Sequence, residues 1–254
     1  MIKICDAIMG SGKSSAAIQY MNSHPEKRFI YITPYLDEAA RIREACPALR
    51  FVEPSSRLKQ YHFHKFEHTV SLIEAGRNIA STHNMFLRYT PDMIRTLKDQ
   101  HYTLIIDEDV DVIEKCESLT SFDYEMLTRA GYAVREGENV RFSPPDGYEG
   151  VFSNLFQITK SRSMTVVPDD KSKGGNVLDA YYWVFSREIL DAFDDVFILT
   201  YLFGGQTIRW YFGLEGNPFS YIQPPPSART WRPPAYIFTS TRAAHGRRSG
   251  RERD

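Results

Sequence analysis

Short apolar runs alternate with stretches of helical spacing along the first 107 residues, the pattern of strands followed by crossover helices. The runs predict strands at residues 2–8, 28–33, 49–52, 78–82 and 102–107. Helices are predicted at 14–21, 37–45 and 61–75, and again from Pro91, because proline suits a first helical position. Within 37–45, Ala39, Ile42 and Ala45 share one helical face. Strand-then-helix repetition implies an α/β fold with a mostly parallel sheet, right-handed crossovers and functional loops at the carboxyl ends of the strands.

The rhythm changes after Glu114. Residues 132–136 and 139–142 flank Gly137-Glu138 and read as an antiparallel hairpin, 147–160 as helical, 163–167 as a strand and 169–175 as a loop. Strand 181–185, helix 187–193 and strand 196–200 then resume the earlier order. This organisation predicts one domain over residues 1–205 with an inserted α+β segment at about 117–180. Residues 206–223 are expected to be a remnant or the start of a second domain, with Ile208-Arg209-Trp210-Tyr211-Phe212 as its opening strand. The last 31 residues, 224–254, hold five prolines, seven arginines and no lysine, a composition expected of a disordered tail.

Composition narrows the function classes. The chain has 254 residues, 42% of them hydrophobic and 25% charged, which excludes collagen-like and wholly disordered classes. Thirty-one basic and 32 acidic residues leave a formal charge of −1, so overall charge selects neither nucleic acid nor membrane. The tail carries +5 and the remainder −6. Cys5, Cys46 and Cys116 lie far apart with no CxxC pair, which argues against a disulfide framework or a cysteine zinc site and suits a reducing cytoplasm. Apolar runs stay short, and charge soon interrupts the N-terminal one, so neither a membrane span nor a signal peptide is expected.

Candidate chemistry begins at Ala7-Ile8-Met9-Gly10-Ser11-Gly12-Lys13-Ser14, a Walker A spacing with alanine in place of the first glycine. Such a loop leaves a buried strand, wraps backbone N–H groups round a β-phosphate and opens a helix whose positive end faces the anion. Gly10 and Gly12 allow positive φ and close backbone approach. Lys13 would reach the β- and γ-phosphates of a nucleotide, and the Ser14 hydroxyl would bind Mg²⁺. About 95 residues later, Leu104-Ile105-Ile106 drives a strand into the sheet and delivers Asp107-Glu108-Asp109 to its carboxyl end. Asp107 would hold the magnesium shell, and Glu108 would polarise the attacking water as general base. The bland alternative makes Asp107 a cap for a helix starting near Asp109.

With these residues in place, the chain resembles the first motor domain of superfamily two helicases, especially DEAD/DEAH-like proteins of bacteriophages. Gly10-Ser11-Gly12-Lys13-Ser14-Ser15 corresponds to motif I and Asp107-Glu108-Asp109-Val110 to motif II. The resemblance covers about residues 1–205 and implies a RecA-like P-loop NTPase fold, with a mostly parallel central sheet and helices on both faces. It implies ATP and Mg²⁺ as cofactors, with Met9 to Ser15 around the phosphates and Lys13, Asp107 and Glu108 as the catalytic set. Ile32-Thr33-Pro34-Tyr35 and Ala80-Ser81-Thr82-His83 stand where the family touches the nucleic-acid backbone, which implies Thr33, Pro34, Tyr35, Thr82 and His83 as contacts. Phe197-Ile198-Leu199-Thr200-Tyr201 resembles motif III, which implies a coupling role for Thr200.

The pattern also departs from the family. Motif II reads Asp-Glu-Asp-Val, and no glutamine motif precedes the first strand. Only about 50 residues follow Thr200, and no arginine finger can be assigned among them. Such a finger is worth 10³–10⁵ in rate, so slow intrinsic hydrolysis is expected unless a partner chain supplies it. The expected partner is single-stranded or duplex nucleic acid, DNA before RNA, in phage replication or recombination in a host cytoplasm. Two other readings remain open: a non-motor nucleotide-binding module acting through a partner, and a phosphoryl-transfer kinase.

Weaker features are read as structural. His62, His64 and His68 cluster, with i, i+4 spacing between the last two, and read as a polar helix face rather than a metal site. Cys116 has no obvious activating base. Tyr181, Tyr182, Trp183, Trp210, Tyr211 and Phe212 lie in β-like runs and read as core rather than base-stacking platforms. In the tail, Trp231, Tyr236 and Phe238 among arginines would suit single-stranded nucleic acid.

Overall fold

The apolar runs send alternate side chains to opposite faces of one sheet, and both faces are covered. In the computed structural model, which describes residues 1–61, 64–169, 178–214 and 218–223, the first four strands are β1 (Ile2–Asp6), β2 (Arg28–Thr33), β3 (Ile79–Thr82) and β4 (Tyr102–Asp107). Between β4 and the next strand of this sheet lie β5 (Ile113–Lys115), β6 (Ala133–Glu136), β7 (Asn139–Phe142), β8 (Arg162–Asp169) and β9 (Leu178–Phe185). The central sheet is completed by β10 (Asp195–Thr200) and β11 (Phe219–Ile222) in the order β11-β1-β10-β4-β2-β3, every registered pair parallel.

Ile4, Ile30, Ile32, Leu104, Ile106 and Ile198 face one side. There they meet α3 (Lys65–Glu74), α4 (His83–Phe86), α5 (Ile94–Asp99) and later helices. Cys5, Phe29, Tyr31, Ile105, Phe197 and Leu199 face the other, under α1 (Lys13–Ser23) and α2 (Leu36–Ala45). Each large apolar side chain so buried contributes roughly 1.5–3 kcal/mol. The chain is therefore α/β, with a parallel six-stranded sheet between two helical layers.

Strands β5 to β9 form a second, antiparallel sheet in the order β5-β9-β8-β7-β6. With α6 (Ser121–Arg129) and α7 (Ser153–Ile158) it encloses a separate core that includes Leu127, Phe156, Met164, Tyr181 and Trp183.

Three local expectations are corrected. No strand forms over 49–52: Pro47–Leu49 is one 3₁₀ turn, Arg50 has φ +49, and only Val52 makes a single bridge, to Ile79. No helix starts near Asp109; the chain bends irregularly through residues 108–112 to β5, so Asp107 caps no helix there. The expected strand 208–212 is helical, within α9 (Thr207–Leu214), which follows the short α8 (Arg187–Leu190). Ile208, Tyr211 and Phe212, spaced i, i+3, i+4, reach the first-face core, and β11 adds to the β1 edge of the same sheet. Residue 62, the loop from 170, and the tail from 224 with Trp231, Tyr236 and Phe238 lie outside the described residues. Among those described, no helix is long and apolar enough to cross a membrane.

Candidate functional site

Register sets the site. Asp6 at the end of β1 lies beside Thr200 of β10, and Leu199 of β10 lies beside Asp107 of β4, so three strand ends stand abreast. Beyond them β10 accepts from both neighbouring loops: Ala7 N–H donates to Thr200 O (3.0 Å) and Glu108 N–H to Leu199 O (2.9 Å). The middle strand therefore fixes the spacing between the Ala7–Ser14 loop and the Asp107–Asp109 segment.

The loop turns on two glycines, Gly10 at φ +75 and Gly12 at φ +87, and Gly12 is the N-cap of α1. No side chain caps that helix, which leaves its first N–H groups to whatever anion approaches. Met9, Gly10 and Ser15 are exposed, whereas Ser11, Gly12 and Ser14 are half-buried. The Ser11 hydroxyl is buried without a partner. Lys13 is only 6% exposed, because its ammonium folds under the loop and donates to Ala7 O (2.6 Å) and Ile8 O (3.2 Å).

Ser14 and Asp107 meet: the Ser14 hydroxyl donates to Asp107 Oδ2 at 2.9 Å across 93 residues of sequence. Asp107 is the most heavily held group in the site. Tyr31, on β2 and fully buried, donates its hydroxyl to the same Oδ2 at 2.5 Å. Burial first, and then the adjacent carboxylate, push the Tyr31 phenol well above its ordinary range. His83 donates from Nε2 to Asp107 O at 2.9 Å, which fixes the protonated nitrogen because a carbonyl only accepts. Burial lowers the His83 pKa, which favours the neutral ring.

Glu108 is half-buried and holds φ +66, a left-handed conformation costing about 1–3 kcal/mol in a non-glycine residue. Asp109 follows with Oδ1 buried and unpartnered; burial, then Asp111 and Glu108, push it up to about 6. A hydroxyl and a carboxylate side by side suit a hard, oxygen-seeking cation that keeps most of its waters. Among the described residues, this site included, no group of three or more His, Cys, Asp or Glu side chains is placed to hold a metal.

No protein-family model matches the chain. Over 223 residues it is 28% identical to the SPbeta prophage-derived uncharacterized protein YonV of Bacillus subtilis (strain 168), an alignment covering 85% of this chain and 52% of that protein. The chain thus spans about half the length of the curated relative it matches.

The residues singled out for nucleic-acid contact divide in the structure. Thr33 and Thr82 pair at the ends of β2 and β3, but the Thr33 side chain is 1% exposed, with its hydroxyl turned inward and unpartnered. Pro34 and Thr82 are half-buried, and Tyr35 is 70% exposed. His83 faces inward to Asp107 rather than out. Thr200 is fully buried, and its hydroxyl pairs with the Gln206 side-chain amide, which also donates to Tyr201 O (3.0 Å).

Tyr31 and Gln206 had no motif to mark them, since each is recognisable only from a partner that the fold supplies. His68 corrects the polar-face reading: it is buried, stacks on Tyr61 at 4.7 Å between ring centroids, and accepts the Ser55 N–H at Nδ1. Cys5, Cys46 and Cys116 are free and buried.

Proposed function

We propose that this chain is an ATP-binding and ATP-hydrolysing, nucleic-acid-dependent protein of helicase type, built on a RecA-like phosphate-loop fold. The observation that carries the reading is the Ser14–Asp107 hydrogen bond, which joins the two segments that such chemistry requires across the end of β10, the strand between β1 and β4. The uncapped glycine start of α1 and the left-handed Glu108 beside it support the same reading. The prophage origin named for the similar Bacillus protein agrees with a role in phage DNA transactions.

In this reading the residues divide the work. Lys13 exchanges the carbonyls of Ala7 and Ile8 for phosphate oxygens, and the N–H groups from Gly10 to Ser15 bind the anion. Ser14 and Asp107 hold Mg²⁺, which neutralises phosphate charge and polarises the transferred group when bound. Glu108 takes the proton of the attacking water. Tyr35 and the segment around Thr82 offer the strand-binding edge, and Thr200, at the end of β10 and paired with Gln206, serves as the coupling residue.

Phosphate release from ATP, measured with and without single- and double-stranded DNA and RNA, tests the proposal. The expected result is hydrolysis stimulated by single strands and abolished by Lys13→Ala. A rate unchanged by saturating strands overturns the motor reading. The alternative is a non-motor nucleotide-binding module, favoured by the presence of one parallel sheet among the described residues. That alternative gives tight ATP binding with negligible turnover, unaffected by Glu108→Gln.

A further inference from the structure

Tyr31 occupies an unusual place for a hydroxyl. It lies in the middle of β2, opposite Ile105 of β4, with apolar Ile30 and Ile32 on either side. Strand alternation puts Tyr31, Ile105 and Asp107 on one face of the sheet, so the ring runs diagonally forward from Ile105 to the end of β4. Its neighbours on that face are apolar, among them Ala17 and Met21 of α1 and Ala39 and Ile42 of α2. Phenylalanine would fill this volume equally well. The hydroxyl donates to the Asp107 carboxylate at 2.5 Å, and the Ser14 hydroxyl on the same carboxylate oxygen also interacts with it.

Both hydroxyls that reach Asp107 end on the same oxygen. Ser14 donates to Oδ2 and Tyr31 donates to Oδ2, while no hydrogen bond from the described residues reaches Oδ1. A carboxylate on a short side chain turns about its last bond unless donors fix it, and two donors converging on Oδ2 fix which oxygen faces the loop. We propose that Tyr31 is a positioning residue: it locks the Asp107 carboxylate so that Oδ1 is held ready for the hydration shell of Mg²⁺ bound with nucleotide. This inference rests on the ATP-and-Mg²⁺ reading of the site. Ser14 cannot do the task alone, because in that reading its oxygen also meets the metal. Hydrogen-bonding partners of this kind change metal affinity by about 10–100-fold when removed.

The test uses the full chain and a fluorescent ATP analogue, with binding measured in EDTA and across a Mg²⁺ titration for wild type, Tyr31→Phe, Asp107→Asn and the double variant. Tyr31→Phe is expected to bind the analogue in EDTA as wild type does, and to need about 10-fold more Mg²⁺ for half-maximal enhancement. On the Asp107→Asn background the same change should have no further effect, because Tyr31 acts through that carboxylate. Coincident Mg²⁺ curves for wild type and Tyr31→Phe would overturn the proposal, as would additive effects in the double variant. A wild-type chain whose nucleotide binding ignores Mg²⁺ overturns the Mg²⁺ reading of the site, and this inference with it.

Discussion

Gly12 passes from the loop into α1 at φ +87, a backbone that costs an L-residue roughly 1–2 kcal/mol. A Cβ there would meet nothing within 4 Å, so the penalty is conformational rather than steric. Gly12→Ala should lower the melting temperature of the ligand-free chain by about 2–4 °C per kcal/mol lost; a thermal scan checks it. His68 provides a pH prediction. Burial holds it below its ordinary 6.5, and its Nδ1 lone pair is engaged by Ser55 N–H. A base with a depressed folded pKa lends stability that is present above its unfolded pKa and lost as pH falls through the folded one. His68→Gln, which can still accept that N–H but does not titrate, should therefore shrink the loss of melting temperature between about pH 7 and pH 5. The spacing of Gly10, Gly12, Lys13 and Ser14 was legible residue by residue because a turn imposes its own chemistry locally. Tyr31 was not, because its partner lies 76 residues away and only strand register brings them together.

Among the elements, α9 separates what composition suggests from what period decides. Its five-residue run, rich in aromatic residues, reads as a strand, yet Ile208, Tyr211 and Phe212 are buried while Trp210 is 67% exposed. A strand would bury 208, 210 and 212 together; a helix buries 208, 211 and 212. Phe212→Ala should cost about 3–5 kcal/mol in urea unfolding, and Trp210→Ala less than about 0.5. Comparable losses at both positions would contradict the helical packing. The β-strands of the central sheet were easier to place, since runs such as Leu104-Ile105-Ile106 are apolar on both faces and occur where both faces are covered. The boundary at 49–52 failed because an apolar run carries no sign that Arg50 will turn left-handed.

For the whole molecule, the consequence of strand order is that any ligand spanning both loop segments, as the proposed nucleotide would, is linked to folding. The Ala7–Ser14 loop and Asp107 belong to strands that do not touch; β10 joins them through Thr200 O and Leu199 O. A ligand that binds both segments adds free energy to the folded state alone, about 2.7 kcal/mol at a hundred times its Kd. Mg·ATP should accordingly raise the melting temperature by roughly 5–10 °C, and Lys13→Ala should remove that shift in a fluorimetric scan. The same sheet depends on its last strand. A chain ending after Gln206 gives up Ile208, Tyr211, Phe212 and Ile222 from two cores and bares the β1 edge. Such a chain should aggregate on expression, as sedimentation of the lysate would show.

Sequence by itself determined the α/β class, most strands of the central sheet, and the residue types at the loop and at Asp107, because hydrophobic period and turn chemistry act over a few residues. Tertiary structure decided the rest: that β10 lies between β1 and β4, that 207–214 is a helix and 219–222 a sixth strand, and that Thr33 and His83 turn inward. It also decided which hydroxyls hold Asp107. Those outcomes depend on pairings between distant segments, whose register is set by the packing of both faces at once and is written in no single stretch of the chain.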